Sequence, residues 1–278
     1  MRFNQIIFTG ISVLKYYINA KTKFNIQSPF LHQFVEDILD NKREYYAFQS
    51  IEIERKKLLH DQTIVECTDF GAGSIIKSNF KKSSIRKIAI LSLSKPTQCK
   101  ILFHLARFTK AKKIIELGTS LGISTAYLAS GNTLSKVDTF EGDPLVAAKA
   151  DNVFKALGIK NVSIHVGNFH ETLPQFLSGK PTLDLVFIDG HHKKETTLSY
   201  FYQILENCHE KSIILIDDIH WSRGMTEAWN IILQHKKVTL SVDIFSMGIV
   251  FINPTLSREN IAYIPYLYKP WNIGLFGN

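Results

Sequence analysis

The chain has few cysteines and no long hydrophobic segment. Its 278 residues include only Cys67, Cys99 and Cys208, an odd number with no C-x-x-C pair. We therefore expect neither a disulfide framework nor a zinc knuckle, and we expect a cytoplasmic location. No run of about eighteen apolar residues lacks a charge, so we expect no membrane-spanning helix. The apolar stretch from Ile6 to Leu14 has no small-residue cleavage site, and we expect no signal peptide.

Low-complexity tracts and fixed-period repeats are also absent. The composition, 45% hydrophobic and 21% charged, is that of an ordinary globular protein. A chain of this length can bury the core of one large α/β domain with an extension, or of two modest domains.

The net charge of +8 is unevenly distributed. Residues 1–110 contain 18 Lys+Arg against 9 Asp+Glu, whereas the remainder contains 15 against 16. The excess includes a cluster of Lys77, Lys81, Lys82, Arg86 and Lys87. A solvated basic face and a surface that attracts an acidic partner are both compatible with it. No zinc finger, RNP-type signature or GXXG loop is present, so we do not expect nucleic acid to bind.

Beyond Lys112, short apolar segments alternate with amphipathic segments of helix length. This alternation indicates parallel βαβ units. A final pair of apolar runs, separated by three residues, has the spacing of a β-hairpin. We predict an α/β fold with a Rossmann-like, seven-stranded sheet: five parallel strands at Lys113–Leu117, Val137–Glu141, Val162–Val166, Leu183–Ile188 and Ile213–Ile216, then an antiparallel hairpin at Val238–Ile244 and Gly248–Ile252.

The N-terminal part has helical patterns instead. We predict helices at Ile6–Ile18 and Phe30–Leu39, the second capped by Ser28 with Pro29 at its first position, and another helix beginning near Pro96. Residues 1–93 are accordingly predicted to be a mainly helical, basic extension that caps a substrate site or mediates oligomerisation, and residues 94–278 to be the catalytic domain.

A glycine-containing segment, Asp69–Ser74, superficially resembles a nucleotide loop. We find no convincing strand before it and no amphipathic helix after it, which is the context that such a loop requires. We therefore interpret it as a turn or a lid on the substrate side.

The central motif is Glu116-Leu-Gly118-Thr119-Ser120-Leu-Gly122-Ile-Ser124, where a predicted strand turns into a helix that begins near Leu121. Glycines there allow a ligand to approach the backbone, and a helix N-terminus offers free N–H groups to a carboxylate. Ser120 replaces the middle glycine of a dinucleotide loop, and no lysine follows as in a P-loop. Glu116 would repel a pyrophosphate and suits the ammonium and sulfonium of S-adenosylmethionine.

The next two strand ends carry further candidate cofactor residues. Glu141, followed by Gly142, can accept the two ribose hydroxyls, although a solvated strand-end acid is the alternative. Asn168 and Phe169 could meet the adenine, and Phe169 could equally pack at a helix cap.

Three aspartates follow the fourth and fifth strands. Asp189, Asp217 and Asp218 should converge at one edge of the sheet, where ligands of open α/β sheets bind. A divalent cation such as Mg²⁺ would compensate their charge and could lower the pKa of a substrate hydroxyl. The alternative is that Asp218 caps the next helix and Asp189 only holds the cofactor.

Two histidines lie beside these aspartates. His192 is the leading candidate for a general base, and His220 is the second. We place Asp217 with them as a catalytic candidate. Trp221 could line a substrate pocket, whereas Trp229 is expected to pack in the core.

These motifs, in this order, resemble the class I methyltransferases, and most closely the O-methyltransferase group of the catechol and caffeoyl-CoA enzymes, including a bacterial branch with an Ile-Asp-Gly-x-His signature. The resemblance covers about Ser94 to Ile252. It implies cofactor roles for Glu116, Gly118, Glu141 and Asp189. It also implies that Asp189, with Asp217 and Asp218, occupies the metal-binding positions of the metal-dependent members.

The sequence departs from the group at three places. Asp218 stands where asparagine is usual, His192 where a lysine is common, and Lys211-Ser212 where a Gly-Gly pair normally precedes the fifth strand.

The expected function is O-methylation of a small-molecule acceptor with S-adenosylmethionine; nitrogen acceptors, a nicotinamide-dependent oxidoreductase and a non-catalytic cofactor-binding module stay open. As partners we expect the acceptor and a homodimer, and neither nucleic acid nor a membrane.

Overall fold

The computed structural model describes residues 3–68 and 80–270. Within these ranges the chain forms ten α-helices and ten strands. The helices are α1 (Phe3–Asn19), α2 (Pro29–Phe34), α3 (Tyr46–His60), α4 (Ile85–Ser92), α5 (Pro96–Thr109), α6 (Ile123–Gly131), α7 (Pro144–Ala156), α8 (Phe169–Leu177), α9 (Lys194–Leu205) and α10 (Arg223–Gln234). The strands are β1 (Ile64–Thr68), β2 (Phe80–Ser84), β3 (Lys113–Leu117), β4 (Lys136–Glu141), β5 (Val162–Val166), β6 (Leu183–Ile188), β7 (Cys208–Asp217), β8 (Leu240–Asp243), β9 (Met247–Phe251) and β10 (Glu259–Ala262).

The chain divides into two compact units. The first unit consists of Met1–Lys42, His192–Tyr202 and His209–Asn278, and the second of Arg43–His191 and Gln203–Cys208. The predicted boundary between residues 93 and 94 stays a prediction.

Strands β3 to β6 belong to the second unit, where they lie in the order β6-β3-β4-β5. β3 is parallel to both β4 and β6, and β4 is parallel to β5. β3 and β6 are almost wholly buried and are mainly apolar, as expected for parallel strands covered on both faces. Because the four strands point the same way, the turns that follow them lie along one edge of the sheet.

The first unit contributes β7 to β10. β8 and β9 form the predicted antiparallel hairpin, and β9 is also antiparallel to β7. β10 pairs with β8 in parallel. Within this unit the strands lie in the order β10-β8-β9-β7. The predicted α/β class with a mainly parallel sheet is confirmed, and β10 adds an eighth strand to the seven expected.

The predicted N-terminal helices are present. Ile6–Ile18 lies within α1, and Phe30–Leu39 is covered by α2 and a following π-helical turn at Val35–Leu39. Ser28 Oγ accepts the Leu31 N–H at 3.4 Å, with Pro29 at the first helical position, as expected for this cap. α5 begins at Pro96. No helix of the described residues is long and apolar enough to span a bilayer.

A small antiparallel sheet in the second unit was not expected. β1 and β2 pair from Ile64 opposite Ser84 to Thr68 opposite Phe80. The expectation that no strand precedes Asp69 is therefore wrong, because β1 ends one residue before it. The next element among the described residues is β2. The segment Asp69–Ser74 and Lys77 lie outside the described residues.

Candidate functional site

The turn after β3 combines three left-handed residues. Gly118, Ser120 and Gly122 have φ of +109°, +47° and +83°. A Cβ on Gly118 would stand 2.3 Å from the Asp189 carbonyl oxygen, and one on Gly122 would stand 2.8 Å from the Phe154 ring. Both glycines are thus required by close packing. α6 begins at Ile123, two residues later than predicted, with Gly122 at the N-cap position.

Glu116 lies wholly beneath this turn, without exposure to solvent. Its Oε2 accepts hydrogen bonds from the hydroxyls of Thr125 and, at 2.7 Å, Thr139, and Ser124 also bonds to the carboxyl group. Oε1 is buried and has no hydrogen-bond partner among the described residues. Burial, partly offset by these hydroxyls, raises the pKa of Glu116 to about 7. The side chain supports the turn from inside the protein.

Glu141 joins two of the turns at this edge. Its Oε2 accepts the Ser120 N–H at 2.8 Å, and its Oε1 accepts the Asp143 N–H at 3.0 Å. Gly142 N–H also donates to this carboxylate, whose pKa is raised because burial outweighs these bonds. A carboxylate accepts about four hydrogen bonds, so it retains capacity for a ligand hydroxyl.

Several other predicted cofactor residues have structural partners. Thr119 is buried, and its hydroxyl lies 2.6 Å from that of Thr139. Asn168 Oδ1 caps α8 by accepting the His170 N–H at 3.1 Å. Phe169 is buried with its ring edge-on to His191 at 5.5 Å. Phe169 is thus packed in the structure, and its contact with the adenine stays a prediction.

Asp189 follows β6 at the same edge of the second unit. Its N–H donates to the Leu117 carbonyl at 2.9 Å, and its Oδ2 accepts from the Ser94 hydroxyl at 3.4 Å. Ser92 Oγ lies 2.6 Å from Ser120 Oγ. Neither serine was predicted, because both precede α5 and no local motif marks them as neighbours of the glycine turn. The second unit therefore gathers Gly118, Ser120, Glu141, Asn168 and Asp189 at the carboxyl ends of its strands.

The first unit contains the histidine candidates. His192 Nδ1 lies 3.7 Å from Asp218 Oδ2, and the two residues have left-handed φ of +30° and +55°. Burial lowers the pKa of His192, while the Asp218 carboxylate opposes that shift. A histidine of lowered pKa is neutral at pH 7, so it can accept a proton.

Asp217 ends β7 and is buried at 7% exposure. In the part of the chain that the structure describes, no group of three or more His, Cys, Asp or Glu side chains is arranged to hold a metal ion. A metal role for Asp189, Asp217 and Asp218 stays a prediction.

His220 is held by a residue that the sequence did not identify. Its Nε2 lies 2.7 Å from Asp243 Oδ2, and its ring stacks on Phe245 at 5.1 Å. Asp243 ends β8, so the signal that could have found it is a strand-end acid. Trp221 is half exposed, whereas Trp229 is buried against Gly248, as predicted.

Residues 115–219 match the profile of a family described as a methyltransferase domain. The matched range contains every predicted cofactor residue, from Glu116 to Asp189, and the pair Asp217-Asp218. Over this range the chain is therefore similar to a methyltransferase domain.

Two catechol O-methyltransferases are similar to a part of this chain. The chain is 34% identical over 127 residues to the catechol O-methyltransferase of Niastella koreensis. This alignment covers 45% of this chain and 57% of that protein. It is 34% identical over 124 residues to the catechol O-methyltransferase of Mycobacterium tuberculosis, an alignment that covers 44% of this chain and 54% of that protein. The chain thus spans a little over half the length of these relatives. The structure of the O-methyltransferase from Bacillus cereus in complex with SAH aligns with a TM-score of 0.54 at 18% identity, over 80% of this chain and 97% of that chain, and shows the shared fold.

Proposed function

We propose that the protein is an S-adenosylmethionine-dependent methyltransferase that methylates an oxygen of a small-molecule acceptor. The observation that carries the proposal is the edge of the second unit, where Glu141 joins the glycine turn to the next turn within the range matched by methyltransferases. The catechol O-methyltransferases among the relatives support an oxygen acceptor.

The residues at this edge suit the proposed cofactor. When bound, S-adenosylmethionine supplies a methyl group on a positively charged sulfur. Glu141 would accept ribose hydroxyls with its remaining lone pairs, and the N-terminus of α6 would meet the carboxylate of the cofactor. Gly118 lets β3 and β6 approach closely enough to form the edge. Catalysis then consists mainly of positioning the acceptor oxygen in line with the methyl group.

His192 is the proposed base. It is neutral near pH 7 because burial lowers its pKa, and Asp218 would stabilise the imidazolium that forms when it takes the acceptor proton. Asp217 and His220 are proposed to assist in catalysis. Mg²⁺ at Asp189, Asp217 and Asp218 is a separate proposal, and neither the positioning of the acceptor nor the proton transfer depends on it.

Replacing Glu141 with alanine is expected to weaken binding of S-adenosylhomocysteine about tenfold or more, because the ribose acceptor and the link between the two turns are lost together. Isothermal titration calorimetry measures the effect. Glu141→Gln, which keeps one acceptor oxygen, should bind with an affinity between those of the wild type and Glu141→Ala. Asp151→Ala, at a half-exposed position of α7, is the control. An unchanged dissociation constant in Glu141→Ala would remove the ribose role.

Replacing His192 with alanine is expected to lower kcat about 100-fold while the affinity for S-adenosylhomocysteine changes less than about twofold. Methylation of catechol, chosen from the relatives, provides the assay, run with and without chelator. In the wild type the rate should rise with pH through the lowered pKa of His192 and then level off, because only the neutral ring accepts a proton. His60→Ala, at the exposed end of α3, is the control. Equal rates in His192→Ala and His60→Ala would exclude His192 as the base. A wild-type rate that does not change with chelator would exclude the metal.

A further inference from the structure

A cavity of about 490 Å³ lies wholly within the first unit. One face of α1, including Ile7 and Ile11, forms one wall. The other walls come from the start of α10, the end of β8 and Ala262 of β10. Cavities of about 300–1,000 Å³ are the usual size for small-molecule sites. None of the residues proposed to hold the cofactor lines this space.

The polar groups of the cavity are held in place. His220 is fixed by Asp243 at 2.7 Å and by stacking on Phe245. The other oxygen of Asp243 accepts the Phe245 N–H at 2.7 Å. The Thr226 hydroxyl donates to the Ile219 carbonyl at 3.1 Å and lies 3.5 Å from His220 Nδ1. The imidazole is thus oriented before any ligand enters, which lowers the cost of binding.

The charge of the lining is mainly positive. Lys15 and Arg223 both line the cavity and are exposed. Among the described residues that line it, Asp243 is the single acid, and both of its oxygens are engaged. Arg223 also lies over the Phe8 ring at 5.9 Å, so its guanidinium is held beside the apolar wall. An apolar space with two cations at its border is complementary to an apolar molecule that carries one anionic group.

We propose that this cavity binds a small aryl or alkyl carboxylate. The hydrocarbon part lies against Ile7, Ile11 and Ala262, and the carboxylate is paired with Lys15 and Arg223. His220 provides the oriented hydrogen-bonding group on the inner wall. The proposal does not depend on methyl transfer, because it concerns equilibrium binding within the first unit.

The test is calorimetry of the full chain with 4-phenylbutyrate and with 4-phenylbutyramide, which match in size and differ in charge. We expect the carboxylate to bind with a dissociation constant below about 1 mM and the amide to bind at least about tenfold more weakly. Lys15→Gln and Arg223→Gln should each weaken carboxylate binding about three- to tenfold and leave amide binding unchanged. Ala262→Leu, which fills the cavity, should weaken the binding of both compounds.

Lys236→Gln, a charge removed from an exposed position outside the lining, should leave carboxylate binding within about twofold. Thermal midpoints establish that each variant is folded. The proposal is overturned if the wild type binds neither compound at about 10 mM, if the two bind equally, or if Lys236→Gln has the same effect as Arg223→Gln. If the wild type does not bind S-adenosylhomocysteine, the proposed methyltransferase function is overturned instead, and the result for the carboxylate is unaffected.

Discussion

Gly118→Ala is expected to destabilise the protein by at least about 4 kcal/mol, enough to prevent normal folding of the second unit. The new Cβ would stand 2.3 Å from the carbonyl oxygen and 3.0 Å from the carbonyl carbon of Asp189. Both atoms are backbone, so no side chain can move away to relieve the overlap. The φ of +109° adds strain, because a residue with a Cβ rarely adopts it.

Gly158→Ala separates the two causes of that destabilisation. Gly158 also has a positive φ, +66°, but no heavy atom of the described residues lies within 4 Å of a Cβ built there. Its substitution should cost only about 1 kcal/mol, from the left-handed backbone alone. Chemical denaturation of both variants and the wild type gives the comparison. Similar decreases in the free energy of unfolding of the two variants would show that the close approach of β3 and β6 at Gly118 does not contribute to stability.

The sheet was predictable because its strands are short, apolar and regularly spaced. β3, β5 and β6 have the bounds that the sequence predicts. Parallel strands buried on both faces give near-continuous Ile, Val, Leu and Phe runs, which are easily recognised. β10, with the sequence Glu-Asn-Ile-Ala, lacks such a run. It is a strand because β8 offers it a partner, and pairing between distant segments leaves little local signal.

The glycine turn was located from the sequence, but the role of Glu116 was not. A strand-end acid beside a glycine turn suggests contact with a cationic ligand. In the structure Glu116 pairs with Thr139 across the β3–β4 ladder, and the carboxyl group is buried among hydroxyls. The register of two strands decides this contact, and it is not evident in either strand alone. The left-handed Ser120 was equally unpredictable, because φ there is set by the packed turn.

The position of Glu116 predicts a pH-dependent stability that Glu116→Gln should remove. Burial raises the pKa of the carboxyl group from 4.5 to about 7 in the folded protein. Between these values the unfolded chain has lost a proton that the folded chain retains, so the free energy of unfolding falls as pH rises. The loss begins near pH 4.5 and is complete above pH 7. At about 1.4 kcal/mol per pKa unit, it amounts to about 3 kcal/mol.

Glutamine imitates the protonated carboxyl group at every pH, so the comparison isolates this one ionisation from all others. We expect the free energy of unfolding of the wild type, minus that of Glu116→Gln, to decrease by about 3 kcal/mol between pH 4 and pH 8.5. Denaturant titrations at four or five pH values measure it. Glu66→Gln, an exposed position on β1, should show a change below about 0.5 kcal/mol.

If this difference in the free energy of unfolding does not change with pH, Glu116 ionises alike in the folded and unfolded states. The hydroxyls of Ser124, Thr125 and Thr139 would then compensate its burial fully. Oε1 argues against that outcome, because the three hydroxyl donors leave it without a hydrogen bond in the part of the chain that the structure describes, and the site is closed to solvent. When the carboxyl group keeps its proton, the free-energy cost of burying that oxygen is lower. The turn above it is consequently more stable in mildly acidic solution than in alkaline solution.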